Sequence, residues 1–316
     1  MELLSRGAVV FPSLKENRPY RPGRSGLYTV DELLEGFDPS DPSSSFDDAV
    51  DSAIYRHSHA YRESREPLPI LESLAQRLHD HAIDDALDEL LHDPDHPRKV
   101  VAVMGGHALK RDEPIYAEVT RLGRGLVRAG YFLATGGGPG AMEASQLGAW
   151  LAGDDDAALE TAVATLAQEP DYRTSRYVQL GLEVRDRHPN GPESLAIPTW
   201  FYGHEPTNTF ATHVAKYFSN SLREDGLLAI AHHGIVFTPG SAGTVQEVFQ
   251  DAAQNHYRTC VYESPMVFLG REFWTERLPA WQLVQALSNG RSYSEQLAIV
   301  DDVDEAVDFI VSHPPR

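Results

Sequence analysis

The chain has 316 residues and carries 27 lysines and arginines against 47 aspartates and glutamates, a formal net charge of -20 at pH 7. This excess of negative charge opposes non-specific attraction to nucleic acid and to anionic lipid, so neither is expected as a partner. Cys260 is the only cysteine, which excludes an internal disulfide and a thiolate zinc or iron–sulfur site within one chain, and indicates a reducing, cytoplasmic location.

In chain order, the first twenty residues lack the apolar segment of an export signal, and no apolar run approaches the ~18 residues of a membrane span. Residues 37–53 are rich in Asp, Ser and Pro, which predicts an exposed connector with a helix beginning near its end. Apolar residues recur every three or four positions in 68–91, which predicts an amphipathic helix, and the prolines of 92–99 end it. We therefore predict a mainly helical N-terminal extension over 1–95 and a second domain over 96–316.

Beyond residue 95, short apolar runs alternate with helical stretches. The predicted strands are 100–104, 131–135, 177–184, 234–238, 265–270 and 297–301. The predicted helices between them are 113–130, 141–153, 209–233 and 244–257. Apolar runs buried on both faces and separated by helices are typical of a parallel sheet that is covered on both sides. The sequence therefore predicts a doubly wound, Rossmann-like α/β domain.

Three of the predicted strand-to-helix turns are rich in glycine and other small residues: 104–108, 135–144 and 238–247. In doubly wound folds, ligands bind beyond the carboxyl ends of the strands, where such turns lie. Glycine lets the backbone approach a ligand closely, and the free N–H groups of the following helix attract an anion. A phosphate is therefore the expected ligand group.

An alternative explanation exists for each of these features taken alone. A single glycine-rich turn also serves close packing of a helix on a sheet. Thr244, at the predicted start of a helix, and Glu247, one turn further on, also match the T-x-x-E capping box. Three such turns at one edge of a sheet, with an acid beside one of them, favour a ligand site.

These motifs resemble those of a known family. "PGSAGTVQE" (239–247) is similar to the P-G-G-x-G-T-x-x-E signature of the LONELY GUY family, phosphoribohydrolases formerly classed as lysine decarboxylases. The segments "VMGGHA", "TGGGPGAMEA" and "AHHGIVFTPG" resemble the central domain of the nucleotide 5′-monophosphate nucleosidases of the same superfamily, to which the molybdenum cofactor carrier proteins are related. The similarity covers about residues 98–302 and leaves out the N-terminal extension.

The resemblance implies hydrolysis of the N-glycosidic bond of a nucleoside 5′-monophosphate, which gives free base and ribose 5-phosphate without a metal or organic cofactor. It implies that Glu247 stabilises the positive charge that develops on the ribose, and that Arg223 is the second catalytic residue, one position out of register with the family's arginine. It also implies a homodimer or a larger homo-oligomer. The residues expected to bind the phosphate and the rest of the nucleotide are Gly105, Gly106, His107, Gly137, Gly138, Gly140, Met142, Glu143, Pro239, Gly240, Ser241, Ala242, Gly243 and Thr244.

Two features leave the activity open. Ser241 replaces the second glycine of P-G-G, which costs on the order of 1 kcal/mol if that position needs a positive φ. Arg223 is followed by Glu224 and Asp225, a pattern that also fits a solvated helix face. The alternative interpretation is therefore a non-catalytic protein of the same fold that binds or carries a nucleotide or a ligand of the molybdenum cofactor type.

Other parts of the sequence carry weaker signals. The histidines in 56–62 and the pair His232 and His233 lack a carboxylate or thiolate at ligand spacing, so no metal site is expected. Lysine decarboxylation is not expected, since none of the four lysines has a recognisable pyridoxal phosphate setting. The aromatic residues in 197–206 fit either stacking on a base or a place in the core.

Overall fold

The computed structural model describes residues 18–41, 43–63 and 67–316 of the chain. Within these residues one sheet is formed by β1 (Val100–Met104), β2 (Phe132–Thr135), β3 (Leu195–Ala196), β4 (His213–Val214), β5 (Ile235–Phe237), β6 (Met266–Leu269) and β7 (Leu297–Val300). The strands lie in the order β4-β3-β2-β1-β5-β6-β7, and every neighbouring pair is parallel. The predicted doubly wound, Rossmann-like α/β fold is confirmed.

The helices occupy the connections between the strands and the region before the sheet. They are α1 (Val30–Leu33), α2 (Val50–Glu63), α3 (Ile70–Leu91), α4 (Pro114–Arg128), α5 (Ala141–Trp150), α6 (Asp156–Leu166), α7 (Ser175–Arg187), α8 (Asn220–Ile230), α9 (Ala242–Tyr257), α10 (Ala280–Ser288) and α11 (Val303–Ser312). Short 3₁₀ turns lie at Phe46–Asp48 and Ser292–Gln296, and a π turn at Phe273–Arg277. No helix among the described residues has both the length and the hydropathy that crossing a bilayer requires.

The sheet is buried on both faces. Val100 and Ala102 of β1 belong to one hydrophobic cluster, whereas Val101 and Val103 belong to another. Because successive side chains of a strand point to opposite faces, the two clusters lie on the two sides of the sheet. This double burial explains why the strands contain continuous apolar runs instead of alternating polar and apolar residues.

Two predicted elements are wrong. Residues 177–184 form part of helix α7, which begins where the Thr174 side chain accepts a hydrogen bond from the Tyr177 N–H. The buried residues of this segment, from Tyr177 to Val184, fit the helical repeat. Residues 209–233 contain strand β4 before helix α8, because His213 and Val214 pair with β3.

The described part of the N-terminal region packs on the sheet. Helix α3 confirms the amphipathic helix predicted over residues 68–91. Tyr28 forms an antiparallel bridge with Val214 of β4, with N···O distances of 3.0 and 2.9 Å. Ile54 of α2 and Ile83 of α3 belong to the same hydrophobic cluster as Val100 of β1. The division of the chain near residue 95 stays a prediction, and the described residues on its two sides share this cluster.

The glycine-rich turns meet at one edge of the sheet. They follow β1, β2 and β5, which are neighbours in the order β2-β1-β5, so the chain reverses its direction of winding at β1. The Gly106 N–H donates to the Pro239 carbonyl (3.1 Å), and the Ala141 N–H donates to the Gly106 carbonyl (3.2 Å). These bonds join the first turn to the other two at the topological switch point, where doubly wound folds bind their ligands.

Candidate active site

A cavity of about 620 Å³ opens at this switch point. Its walls come from the three glycine-rich turns, from residues 199–206 after β3, and from helices α8 and α9. Twelve predicted site residues line it: Gly105, Gly106, His107, Gly137, Gly138, Met142, Arg223, Ser241, Ala242, Gly243, Thr244 and Glu247. The turns and the acid that the sequence singled out therefore lie around one space.

Four predicted site residues do not line the cavity: Gly140, Glu143, Pro239 and Gly240. Gly140 has a φ of 73°, and a side chain there would overlap the backbone of Gly106 and His107, so this glycine closes one turn onto another. A side chain at Gly240 would collide with the Thr244 hydroxyl. Pro239 presents its carbonyl to the Gly106 N–H. These three residues shape the turns and do not line the cavity.

Glu143 faces the protein interior instead of the cavity. Its carboxylate accepts hydrogen bonds from Arg111 Nε (2.9 Å), Tyr116 OH (2.7 Å) and Tyr177 OH (2.6 Å), and it is almost completely buried. A carboxylate is buried only when its charge is paired and hydrogen-bonded, as it is here. Glu143 therefore ties α4, α5 and α7 together, and its predicted contact with the nucleotide is wrong.

The first turn of α9 offers backbone donors to the cavity. The helix begins at Ala242, so Ser241 is its N-cap and Thr244 already lies in the first turn. The capping box of Thr244 and Glu247 is therefore wrong. The first N–H groups of a helix have no acceptor within the helix, and together with the helix dipole they favour a bound anion. Ser241 has a φ of -125° and a ψ of -152°, extended backbone that any residue adopts, so replacing glycine here causes no strain.

Arg223 and Glu247 face each other across the cavity. Arg223 Nη1 lies 3.7 Å from Glu247 Oε1, and the two side chains are only 12% and 14% exposed. Arg223 is fixed by its Nε, which donates to the Ile197 carbonyl (2.8 Å), and by Nη2, which donates to the Gly136 carbonyl (3.4 Å). The arginine thus turns toward the sheet and does not belong to a solvated helix face.

Burial makes the Glu247 carboxyl a weaker acid than usual. Loss of hydration raises the pKa of its carboxyl to about 7. The positive charge of Arg223 offsets this rise only in part, and the negative charge of Glu224 adds to it. A carboxyl with this pKa exchanges a proton readily near neutral pH, which is the property of a general acid or base. Strongly perturbed acids in a cavity are typical of functional sites.

Lys216 lines the cavity and was not predicted. Its ammonium lies 2.7 Å from the carboxylate of Asp51 on α2, and its side chain is 4% exposed. Asp51 also accepts hydrogen bonds from Trp200 Nε1 and Thr207 Oγ1, both 2.7 Å long. Burial acts to raise the pKa of Asp51, but the Lys216 ammonium and, to a smaller extent, the hydrogen bond from Thr207 hold it below its usual value. The N-terminal region therefore supplies the counter-charge of a cation at the cavity.

His204 and Glu205 also line the cavity and were also missed. The His204 ring stacks between Phe46 and Tyr55, with centroid distances of 4.8 Å to each, and its Nε2 lies 2.7 Å from Ser52 Oγ. This arrangement has no signature in the sequence, because the segment has no periodicity and its partners lie about 150 residues earlier in the chain.

Tyr202 is the aromatic residue of 197–206 that reaches the cavity, whereas Trp200 is buried in the core. The Tyr202 hydroxyl donates to Glu224 (3.1 Å), which also accepts a hydrogen bond from Gln246 Nε2 (3.0 Å). Among the residues that the structure describes, no group of three or more His, Cys, Asp or Glu side chains has the arrangement of a metal site. The cavity thus offers backbone N–H groups, cations and carboxyl groups.

No family model matches the chain, and no curated protein matches it. Solved structures do. The molybdenum cofactor binding protein of the phototrophic bacterium Rippkaea orientalis has a TM-score of 0.42 and 16% identity, over 68% of this chain and 96% of that chain. The molybdenum cofactor carrier protein of Chlamydomonas reinhardtii has a TM-score of 0.41 and 17% identity, over 68% and 97%. A second structure of a carrier protein from this alga has a TM-score of 0.40 and 15% identity, over 69% and 100%.

These matches concern the fold alone, at identities where ligands do not transfer from one protein to another. The resemblance to the LONELY GUY family, the homo-oligomeric state and the cytoplasmic location stay predictions.

Proposed function

We propose that the chain is a phosphoribohydrolase that cleaves the N-glycosidic bond of a nucleoside 5′-monophosphate. The observation that carries this proposal is the pair of Arg223 and Glu247, 3.7 Å apart in a cavity whose neighbouring wall is the first turn of α9. The pair supplies a carboxylate for the reacting centre, and the N-terminus of α9 supplies a site for the phosphate.

The phosphate site follows from the start of α9. Residues 241–244 line the cavity, and the exposed Ser241 hydroxyl makes no capping hydrogen bond, so it is available as a further donor. Binding a phosphate here leaves the ribose and its base directed toward Arg223 and Glu247, one turn further along the helix. Local donors of this kind bind an anion despite the net charge of -20.

The chemistry follows from the charges. As the bond between C1′ and the base nitrogen breaks, its electron pair moves to the base and positive charge develops on the ribose. The Glu247 carboxylate stabilises this charge and accepts a proton from the water that attacks C1′. Arg223 orients the carboxylate. The products are ribose 5-phosphate and the free base.

The test is the release of free base from AMP, GMP, CMP, UMP and IMP, measured by chromatography. Wild-type protein is expected to release base from at least one of them, and Glu247→Gln is expected to lose this activity because amide nitrogen and oxygen cannot accept the proton. Glu160→Gln, on the exposed face of α6, is the matched control and is expected to keep it. Absence of base release from all five nucleotides contradicts the proposal.

The second candidate is a protein that binds or carries a phosphate-bearing ligand without cleaving it. The cavity volume favours keeping this candidate, because about 620 Å³ lies well inside the range of about 300–1,000 Å³ of small-molecule sites and leaves room for phosphate-bearing ligands other than a mononucleotide. Ligand-dependent stabilisation in a thermal-shift assay, combined with no base release, supports this candidate over the first.

A further inference from the structure

Glu205 is a carboxyl group in the cavity that the structure leaves without a partner. It makes no hydrogen bond and no ion pair with any of the described residues. Its oxygens are not among the fully buried polar atoms that lack a partner, so they remain open to the cavity that the residue lines. Burying a carboxyl group without a protein partner costs free energy of folding. Such a group therefore indicates a role in binding a ligand or in a reaction.

Glu205 lies close to the Arg223 and Glu247 pair. A Cβ atom at Gly138 would be 2.7 Å from Glu205 Oε2, so this carboxyl packs directly against the turn after β2. The Arg223 guanidinium packs in the same way against Gly136 and donates to its carbonyl. Two residues of chain span at most about 7 Å. Glu205 and Arg223 therefore flank one short stretch of backbone, and Glu247 lies 3.7 Å from Arg223, so that a single bound nucleotide can reach both acids.

The surroundings of Glu205 favour its protonated form. Burial raises the pKa of its carboxyl, and the charged groups that face it, His107, Lys216 and Arg223, lower the pKa only in part. The charge of Lys216 is itself neutralised by Asp51. A protonated carboxyl that has no acceptor among the described residues can donate its proton to a ligand.

The residues beside Glu205 are fixed by the N-terminal region. His204 is stacked between Phe46 and Tyr55, and the Thr207 hydroxyl donates to Asp51. Contacts on both sides limit the movement of the segment that carries the carboxyl, which is how a reacting group is held in position before the substrate binds.

We propose that Glu205 is a further catalytic residue, the general acid that protonates the departing base. This inference rests on the proposed function. In the step, the oxygen of water bonds to C1′ and the electron pair of the C1′–N bond moves onto the base. The base takes a proton from Glu205, and the water gives a proton to Glu247. Exchange of one proton each with solvent then restores both carboxyl groups.

The experiment compares two substrates of wild-type protein and Glu205→Gln, which keeps the shape of the side chain but has no acidic proton. One substrate is the best nucleotide of the base-release assay. The other is p-nitrophenyl ribofuranoside 5-phosphate, whose leaving group departs as a stable anion and needs no proton. Glu205→Gln is expected to lose about 10²–10⁴-fold in kcat on the nucleotide, the usual contribution of general acid catalysis, and to keep most of its kcat on the nitrophenyl compound.

Two further variants separate catalysis from structure. Glu247→Gln is expected to lose turnover of both substrates, because its role does not depend on the leaving group. Glu205→Asp keeps an acidic proton and is expected to recover part of the nucleotide activity. The wild-type kcat on the nucleotide is expected to fall at high pH as Glu205 loses its proton, and this fall is expected to be absent with the nitrophenyl substrate.

The outcomes are distinct. Wild-type nucleotide turnover in Glu205→Gln, or an equal loss on both substrates, overturns the role of Glu205 and leaves the proposed function standing. Absence of turnover of every nucleotide and of the nitrophenyl compound by wild-type protein overturns the proposed function and this inference with it. Thermal-shift binding of ribose 5-phosphate by Glu205→Gln shows that the cavity is intact.

Discussion

Replacing Glu247 by Gln is expected to stabilise the protein at alkaline pH. The pKa of this carboxyl is about 7 in the folded protein against an ordinary value of 4.5. The folded state therefore binds the proton more tightly than the unfolded state, and wild-type stability falls as the pH rises from about 4.5 to about 7. The difference of about 2.5 pH units corresponds to about 3 kcal/mol, because one unit is worth about 1.4 kcal/mol. The 14% exposure of the side chain reduces this figure little.

The assay is urea unfolding of wild-type protein and Glu247→Gln at pH 4.5 and pH 8.5. Glutamine does not titrate, so the gain in stability of the variant over wild type is expected to be about 3 kcal/mol larger at the higher pH. Glu160→Gln, at an exposed position, is the control and is expected to show the same small difference at both pH values. A gain for Glu247→Gln that does not change with pH means that this carboxyl titrates normally, and refutes the reasoning from burial.

Three other predictions concern the site and the packing around it. Arg223→Ala is expected to lower kcat for base release by at least about 10²-fold, because a positioned charge is removed from the reacting centre; the measurement is the base-release assay. Asp51→Asn is expected to destabilise the protein by about 3–5 kcal/mol in urea unfolding, because it leaves the Lys216 ammonium buried without its counter-charge. Gly148→Ala is expected to cost about 1–3 kcal/mol, because its Cβ overlaps the backbone of α4, whereas Gly153→Ala, with no atom within 4 Å, is the unaffected control.

Each of these predictions has an outcome that contradicts it. Wild-type turnover in Arg223→Ala removes this side chain from the mechanism. Unfolding of Asp51→Asn at the wild-type urea concentration means that Lys216 finds another partner or loses its proton. Equal stability of the two glycine variants means that α4 and α5 have room between them for a methyl group.

The five longer strands of the fold were predictable and the two shortest strands were not. Each of β1, β2, β5, β6 and β7 falls within a predicted apolar run, because a strand that packs against apolar residues on both faces is apolar throughout. Strands β3 and β4 have only two residues each, too few for any pattern, and they form through pairing with distant residues. A short apolar run such as 177–184 fits a strand or a buried helix, and only the Thr174 cap and the tertiary packing decide between them.

The part of the site that is formed by strand-to-helix turns was predictable from the sequence. The glycine-rich turns and Glu247 belong to strand-to-helix connections, whose place at the edge of the sheet follows from the fold. Neighbouring residues of a helix point in different directions, however, so Met142 lines the cavity whereas Glu143 faces the interior. Lys216 and the segment that carries Glu205 owe their places to contacts with α2, which sequence spacing does not indicate.

The bridge between Tyr28 and Val214 has a consequence for how the folded chains behave at high concentration. Strand β4 ends the sheet, and an uncovered terminal strand is a template on which another polypeptide adds a strand of its own. The main-chain groups of Val214 that face outward are already bonded to Tyr28. The N-terminal region thereby opposes aggregation through this edge of the sheet, because another polypeptide must displace Tyr28 before it can pair with β4.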